Sequence, residues 1–82
     1  MKILTNIVIP AVSENYDVLV PDFLPVSEIT PLVAKAVTEI TNGRYVPSGC
    51  ELLCWKEKET VLDGFKTLGF YGVQNGDHII LF

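Results

Sequence analysis

The stretch VSEITPLVAKAVTEITNG, residues 26–43, decides the fold. Apolar residues recur at Val26, Ile29, Leu32, Val33, Ala36, Val37 and Ile40. That is the i, i+3, i+4, i+7 spacing of a helix with one apolar face. Thr30, Lys35, Thr38, Glu39 and Thr41 fall between them and face water. The pattern predicts one helix near 26–42 that buries Ile29, Val33, Val37 and Ile40. Ser27 is placed to cap its start, with Val26 outside it as a hydrophobic staple. Pro31 is tolerated early in the helix, where the first N–H groups lack intrahelical partners. Asn42-Gly43 supplies a left-handed stop.

On either side of this helix the chain reads as strands and turns. Lys2 to Pro10 is a strand with Ile3, Thr5, Ile7 and Ile9 on one face and Leu4, Asn6 and Val8 on the other. AVSEN, residues 11–15, is a turn of hairpin length. YDVLV, residues 16–20, is a second strand, and Pro21 ends it because proline cannot donate to the ladder. Pro47 and Gly49 break the segment after the helix. ELLCWK, residues 51–56, is a third strand, followed by a charged KEKE turn and a short edge strand at 60–62. FKTLGFYG reads as a loop with one turn of 3₁₀ helix. Asn75-Gly76-Asp77 is the strongest turn signal, and HIILF is the last strand. One helix on one face of a mixed sheet is an α+β two-layer sandwich, and residues 1–82 make one domain.

Composition narrows the function. A net charge of −4 and a pI near 4.7 disfavour nucleic acid, which needs clustered Lys and Arg. An anionic membrane surface is disfavoured for the same reason. No run approaches the ~18 apolar residues needed to cross a membrane. Met1-Lys2 before ILTNIVIPAV has the outline of a short signal peptide, but Thr5 and Asn6 interrupt it and the positive region is a single Lys. On a strand, Cys50 and Cys54 stand ~13 Å apart, too far for a disulfide. Reduced thiols without a signal fit the cytoplasm. The reading is Cys54 as a small core residue and Cys50 as a loop residue.

The order of elements and several local strings resemble the ubiquitin-like β-grasp. Leu62-Asp63-Gly64, Thr67-Leu68, Tyr71, Val73, Ile79 and Leu81 are similar to the second half of ubiquitin. YDVLVPDFLPVSEITPLVAKAVTEI (Tyr16 to Ile40) and TLGFYGVQNGDHIILF at the end resemble the EsaB/YukD family, small ubiquitin-like proteins associated with bacterial type VII secretion. The likeness covers nearly the whole chain. It departs from the family in the Cys50/Cys54 pair and in a long turn after Trp55. The resemblance implies a five-stranded grasp with strand order 2-1-5-3-4. It also implies a cytoplasmic accessory protein that is not an enzyme. In related secretion systems a ubiquitin-like domain belongs to the membrane machine and contacts its ATPase, so the resemblance implies a cytoplasmic domain of a secretion ATPase or membrane component as partner.

Catalytic and cofactor chemistries find no support in the residues. Conjugated ubiquitins and sulfur carriers need a C-terminal Gly-Gly, whereas Ile80-Leu81-Phe82 reads as strand. Plant-type β-grasp ferredoxins need four cysteines. His78 has no nucleophile in a matching context. Glu57 and Glu59 alternate with lysines, as in a solvated turn. Asp77 lacks EF-hand spacing, and Gly69, Gly72 and Gly76 precede no phosphate-loop lysine. No catalytic, cofactor or metal residue is expected.

What stands out is a surplus of apolar residues. If Leu52 and Cys54 face the helix with Ile79 and Leu81, alternation sends Leu4, Val8, Leu19, Leu53, Trp55, Ile80 and Phe82 to the other face. A one-sided sheet should be polar there. The expected protein-binding residues are Leu4, Leu19, Leu53, Trp55, Ile80 and Phe82, with Trp55 supplying partner affinity and little core stability. The patch meets either a secretion component or another copy of the chain in a symmetric dimer. The alternative placement has the 65–71 loop covering the patch or the third strand in opposite register. An adaptor or inhibitor unrelated to secretion is the second functional class.

Overall fold

The computed structural model describes residues 1–82. Five strands and two helices follow in the order β1 (Lys2–Ile9), β2 (Glu14–Pro21), α1 (Val26–Ile40), β3 (Leu53–Trp55), β4 (Thr60–Val61), α2 (Leu68–Tyr71) and β5 (His78–Leu81). The strands form one sheet in the order β2-β1-β5-β3-β4. β1 runs antiparallel to β2 and parallel to β5, and β3 is antiparallel to β5 and β4. β2 and β3 therefore run in the same direction on either side of the β1–β5 pair, and α1 makes the crossover between them across one face of the sheet. This is the grasp architecture, with the strand order, that the family resemblance implies.

α1 buries Val26, Ile29, Val33, Ala34 and Val37. Ile40 departs from the expected core. It is 44% exposed, because it stands in an i, i+4 row with Leu32 and Ala36, beside the buried Ile29–Val33–Val37 row. The start of α1 also differs from the expectation. Pro25 holds the capping position and no side chain caps the helix. Instead the N–H of Val26 donates to the Lys66 carbonyl at 2.8 Å and that of Ser27 to Gly64 at 3.0 Å. The helix thus begins one residue before Ser27, which lies inside its first turn, and the N–H groups of Glu28 and Ile29 close onto the Pro25 carbonyl. At the other end Asn42 and Gly43 take left-handed φ values of 55° and 85°, and the Gly43 N–H reaches back to the Thr38 carbonyl.

Thr41 and Tyr45 close the bottom of the core. The Thr41 hydroxyl donates to Val37 at 2.8 Å and accepts from the Tyr45 N–H at 3.1 Å, so a buried polar side chain is fully used. The Tyr45 hydroxyl donates to Glu51, and burial together with that carboxylate pushes its pKa up to about 12. Glu51 also accepts the N–H groups of Ser48 and Gly49, which fixes the irregular 46–52 segment without regular structure.

The third strand lies in the register opposite to the expected one. Leu53 is 2% exposed and Trp55 8%, both on the helix side. Cys54, expected in the core, lies half-buried on the other face, and Leu52 is exposed. The cause is the polar end of Trp55. Its indole N–H donates to Asp77 at 3.1 Å, in the Asn75-Gly76-Asp77 turn, while its ring packs edge-on against Tyr71. A buried indole needs such an acceptor, and Asp77 provides it in the inward register.

Two outcomes follow. Val37→Asp places an unpaired charge where no surface is exposed, and cooperative unfolding by circular dichroism is expected to be lost. Trp55→Ala is expected to cost about 3–5 kcal/mol in urea denaturation, since it empties a large core site and strips Asp77 of a donor.

Candidate protein interface

The outer face of the sheet is organised in rows by the strand register. Leu4 stands opposite Leu19. The next row runs Asp17, Asn6, His78. The third runs Asn15, Val8, Ile80, Cys54, Val61 across all five strands. In the last, Leu52 and Phe82 exchange backbone hydrogen bonds of 2.6 and 3.0 Å. Side chains directly opposite on one face stand close enough to act as a unit.

Of the six expected interface residues, the structure brings four to this face in two groups. Leu4 and Leu19 form one, with Leu19 60% exposed. Ile80 and Phe82 form the other, with Phe82 54% exposed. Leu53 and Trp55 are on the opposite face and are corrected to core residues. Val8, Cys54, Val61 and Leu52 complete the second group in their place. The 65–71 segment does not cover it: Leu68 turns into the core and Phe65 and Phe70 are exposed. Leu52, Val61 and Phe82 are about half exposed, and Val8, Cys54 and Ile80 are half-buried between them.

A polar row separates the two groups. The Asn6 side-chain amide donates to Asp17 at 3.1 Å and Asn15 at 3.2 Å. His78 is held by Glu57 from a 3₁₀ turn at Lys56–Lys58. The carboxylate accepts the His78 backbone N–H at 2.9 Å and lies 2.6 Å from Nδ1. Burial pushes the Glu57 carboxyl up, but the hydrogen bonds from the His78 ring and backbone outweigh it and hold the group below the usual range. With the carboxylate as acceptor the ring proton lies on Nδ1, and Nε2 takes no part in this contact. Glu57 is thus more than part of a solvated turn. Its partner lies 21 residues away, beyond the reach of local patterning.

No group of three or more His, Cys, Asp or Glu side chains comes together. No helix is long and apolar enough to cross a membrane.

A family model described as "WXG100 protein secretion system (Wss), protein YukD" matches residues 4–81. The chain belongs to the YukD family. No curated protein matches the sequence. Among solved structures, it is similar to the EccD5 ubiquitin-like domain from Mycobacterium xenopi, with a TM-score of 0.82 and 17% identity over 100% of this chain and 93% of that one. A chain of the MycP5-free ESX-5 inner membrane complex matches with a TM-score of 0.78 and 18% identity, over 99% of this chain and 20% of that one. The UBL domain of Plasmodium falciparum Dsk2 matches end to end with a TM-score of 0.70 and 18% identity. At these identities the likenesses establish the ubiquitin-like fold. Membership of the YukD family assigns the chain to type VII, or WXG100, secretion.

The Glu57–His78 contact has a signed pH consequence. A carboxyl with a lowered folded pKa adds stability above its unfolded pKa and loses it as pH falls through the folded one. The melting-temperature gap between parent and Glu57→Gln is therefore expected to be present above the ordinary carboxylate range and to shrink as the pH falls through the lowered pKa of Glu57.

Proposed function

We propose that this YukD-family protein is a non-catalytic, cytoplasmic accessory subunit of the secretion system, built as one ubiquitin-like domain over residues 1–82. It acts by docking its outer sheet face on a cytoplasmic part of the secretion ATPase or membrane component. The observation that carries the reading is the uncovered strip Val8–Ile80–Cys54–Val61 with Leu52 and Phe82 beside it. The inner face already has its helix, so this second apolar face serves no packing need of the fold. Phe82 brings a large apolar area with few rotamers to freeze. The Asp17–Asn6–His78–Glu57 row supplies directional polar contacts beside it, which set the orientation of a partner. The presence of a chain of this fold in the ESX-5 inner membrane complex supports a membrane-machine partner.

The test uses Leu52→Asp and Phe82→Asp, both at exposed positions. Melting temperature is expected to stay near that of the parent. Binding to the purified cytoplasmic region of the FtsK-like ATPase of the same system is expected to weaken tenfold or more, roughly the loss of a central hot-spot contact. Parent protein that fails to bind any cytoplasmic component of the system points to an adaptor or inhibitor role outside secretion. Variants that bind as the parent does contradict the assignment of this face.

A further inference from the structure

The sheet has two edges, β2 and β4, and they are treated differently. β4 is two residues long, and a short edge offers little for another strand to pair with. β2 is eight residues long and keeps unbroken register with β1 from Glu14 to Pro21. It has no bulge and no Lys or Arg, so Glu14, Asp17 and Pro21 are all that blunt this edge.

The direction of the free backbone groups follows from bonds already made. Leu4 and Asn6 of β1 use their backbone toward the β5 side, through Asn75, Gly76 and Asp77. On the other side the Asp22 N–H donates to the Met1 carbonyl. Odd-numbered residues of β1 therefore bond to even-numbered residues of β2. The N–H and C=O groups of Asn15, Asp17 and Leu19, and the C=O of Pro21, point out from the edge with no strand beside them.

The flank next to this edge is apolar. A groove of about 150 Å³ runs between β2 and α1, lined by Val18, Val20, Pro21, Leu32, Val33 and Ala36. Leu32 is 55% exposed, and Leu32, Ala36 and Ile40 form one i, i+4 row turned away from the core. An open backbone edge and an uncovered helix row thus share one side of the molecule.

We propose that this flank is a homodimer interface. β2 pairs antiparallel with β2 of a second copy about a two-fold axis normal to the sheet. The two sheets become one, and the two α1 helices face each other across the seam. Such an axis keeps inner faces together and requires a residue to stand opposite itself. Centring on Asp17 would set two carboxylates face to face, which is unfavourable. Centring on Leu19 would carry Asn15 past the end of the pairing and spend donors on Pro21, which has none to return. Centring on Val18 pairs Asp17 with Leu19 in both directions and Asn15 with the Pro21 carbonyl, for about six backbone hydrogen bonds. On the helix side Val18 then meets Val18 and Tyr16 meets Val20, β-branched and aromatic–β-branched pairs. Leu32 and Ala36 of both helices stand over this seam and close both grooves. The Glu14 carboxylate near the end of the strand already has Arg44 of its own copy as ion-pair partner.

A second copy is the occupant because the surface complements itself. The Tyr16–Val18–Val20 alternation that lines the groove is the apolar alternation the groove needs from an added strand. The outer sheet face stays open in this dimer, so the inference stands independently of the docking reading.

Sedimentation equilibrium in reducing buffer, from micromolar to millimolar protein, tests it together with hydrogen exchange over the same range. A monomer–dimer equilibrium is expected. The amides of Asn15, Asp17 and Leu19 are expected to become protected as the dimer forms, while that of Val61 on the opposite edge is not. Leu32→Arg is expected to raise the dissociation constant about tenfold or more while leaving the melting temperature of the dilute monomer unchanged. A monomer at every concentration overturns the proposal. So does a dimer whose β2 amides exchange as fast as in the dilute sample, or a Leu32→Arg variant that dimerises like the parent.

Discussion

Ile29 and Val33 of α1 press into Ile7, Val20, Leu53 and Ile79 of the sheet around one enclosed part of the core. This single helix-on-sheet contact sets the other placements. It fixes which face of every strand is inward, because side chains alternate and a one-residue slip would reverse a whole strand. It also fixes what is left over. The helix can cover one face only, and the inner residues Ile3, Ile7, Ile9, Val20, Leu53, Ile79 and Leu81 fill it. Every further apolar residue on a strand has to find another neighbour.

The remaining apolar residues are not scattered. Val8, Ile80, Cys54 and Val61 fall in one row across the sheet, with Leu52 and Phe82 beside it. Leu32, Ala36 and Ile40 fall in one row along the helix, beside the open strand β2. Both surfaces cost the isolated molecule solvation free energy. Each gains a role when something covers it. The outer face, divided by the Asn6–His78 row, suits a foreign surface with its own polar pattern. The β2 flank suits a strand and an apolar helix, which the chain itself supplies. If both proposals hold, this one small domain of a WXG100-secretion family would join an assembly through its outer face and pair through its β2 flank.

Much of this was legible in the chain. The 3.6-residue period of 26–40 gave the helix, and its Asn42-Gly43 stop is where the structure ends it. The alternation of Ile3, Thr5, Ile7 and Ile9 gave the inner face of β1 without error. The third strand was not legible, for a physical reason. Leu52, Leu53, Cys54 and Trp55 are all apolar, so alternation carries no parity there, and Leu53 and Trp55 were assigned to the wrong face. The information lay in a long-range bond, from the Trp55 indole to Asp77 in the turn before β5. Glu57 was read as solvated because its lysine neighbours look so, while its partner His78 comes from another strand. Ser27 has the composition of a cap, but the 64–66 loop binds the N–H groups of Val26 and Ser27, so the helix starts earlier, with Pro25 at the capping position. Local pattern was reliable where the partner is local. It failed where tertiary contact supplied the partner.

The measurement closest to the central claim is amide and methyl chemical-shift mapping of the labelled protein titrated with the cytoplasmic region of the secretion ATPase. The account predicts saturable shifts centred on Val8, Val61, Ile80 and Phe82 and extending to His78, with Ile29, Val33 and Val37 of the core unmoved. Shifts confined to α1 and the exposed ends of the molecule, with the outer sheet face unchanged at saturation, would contradict it.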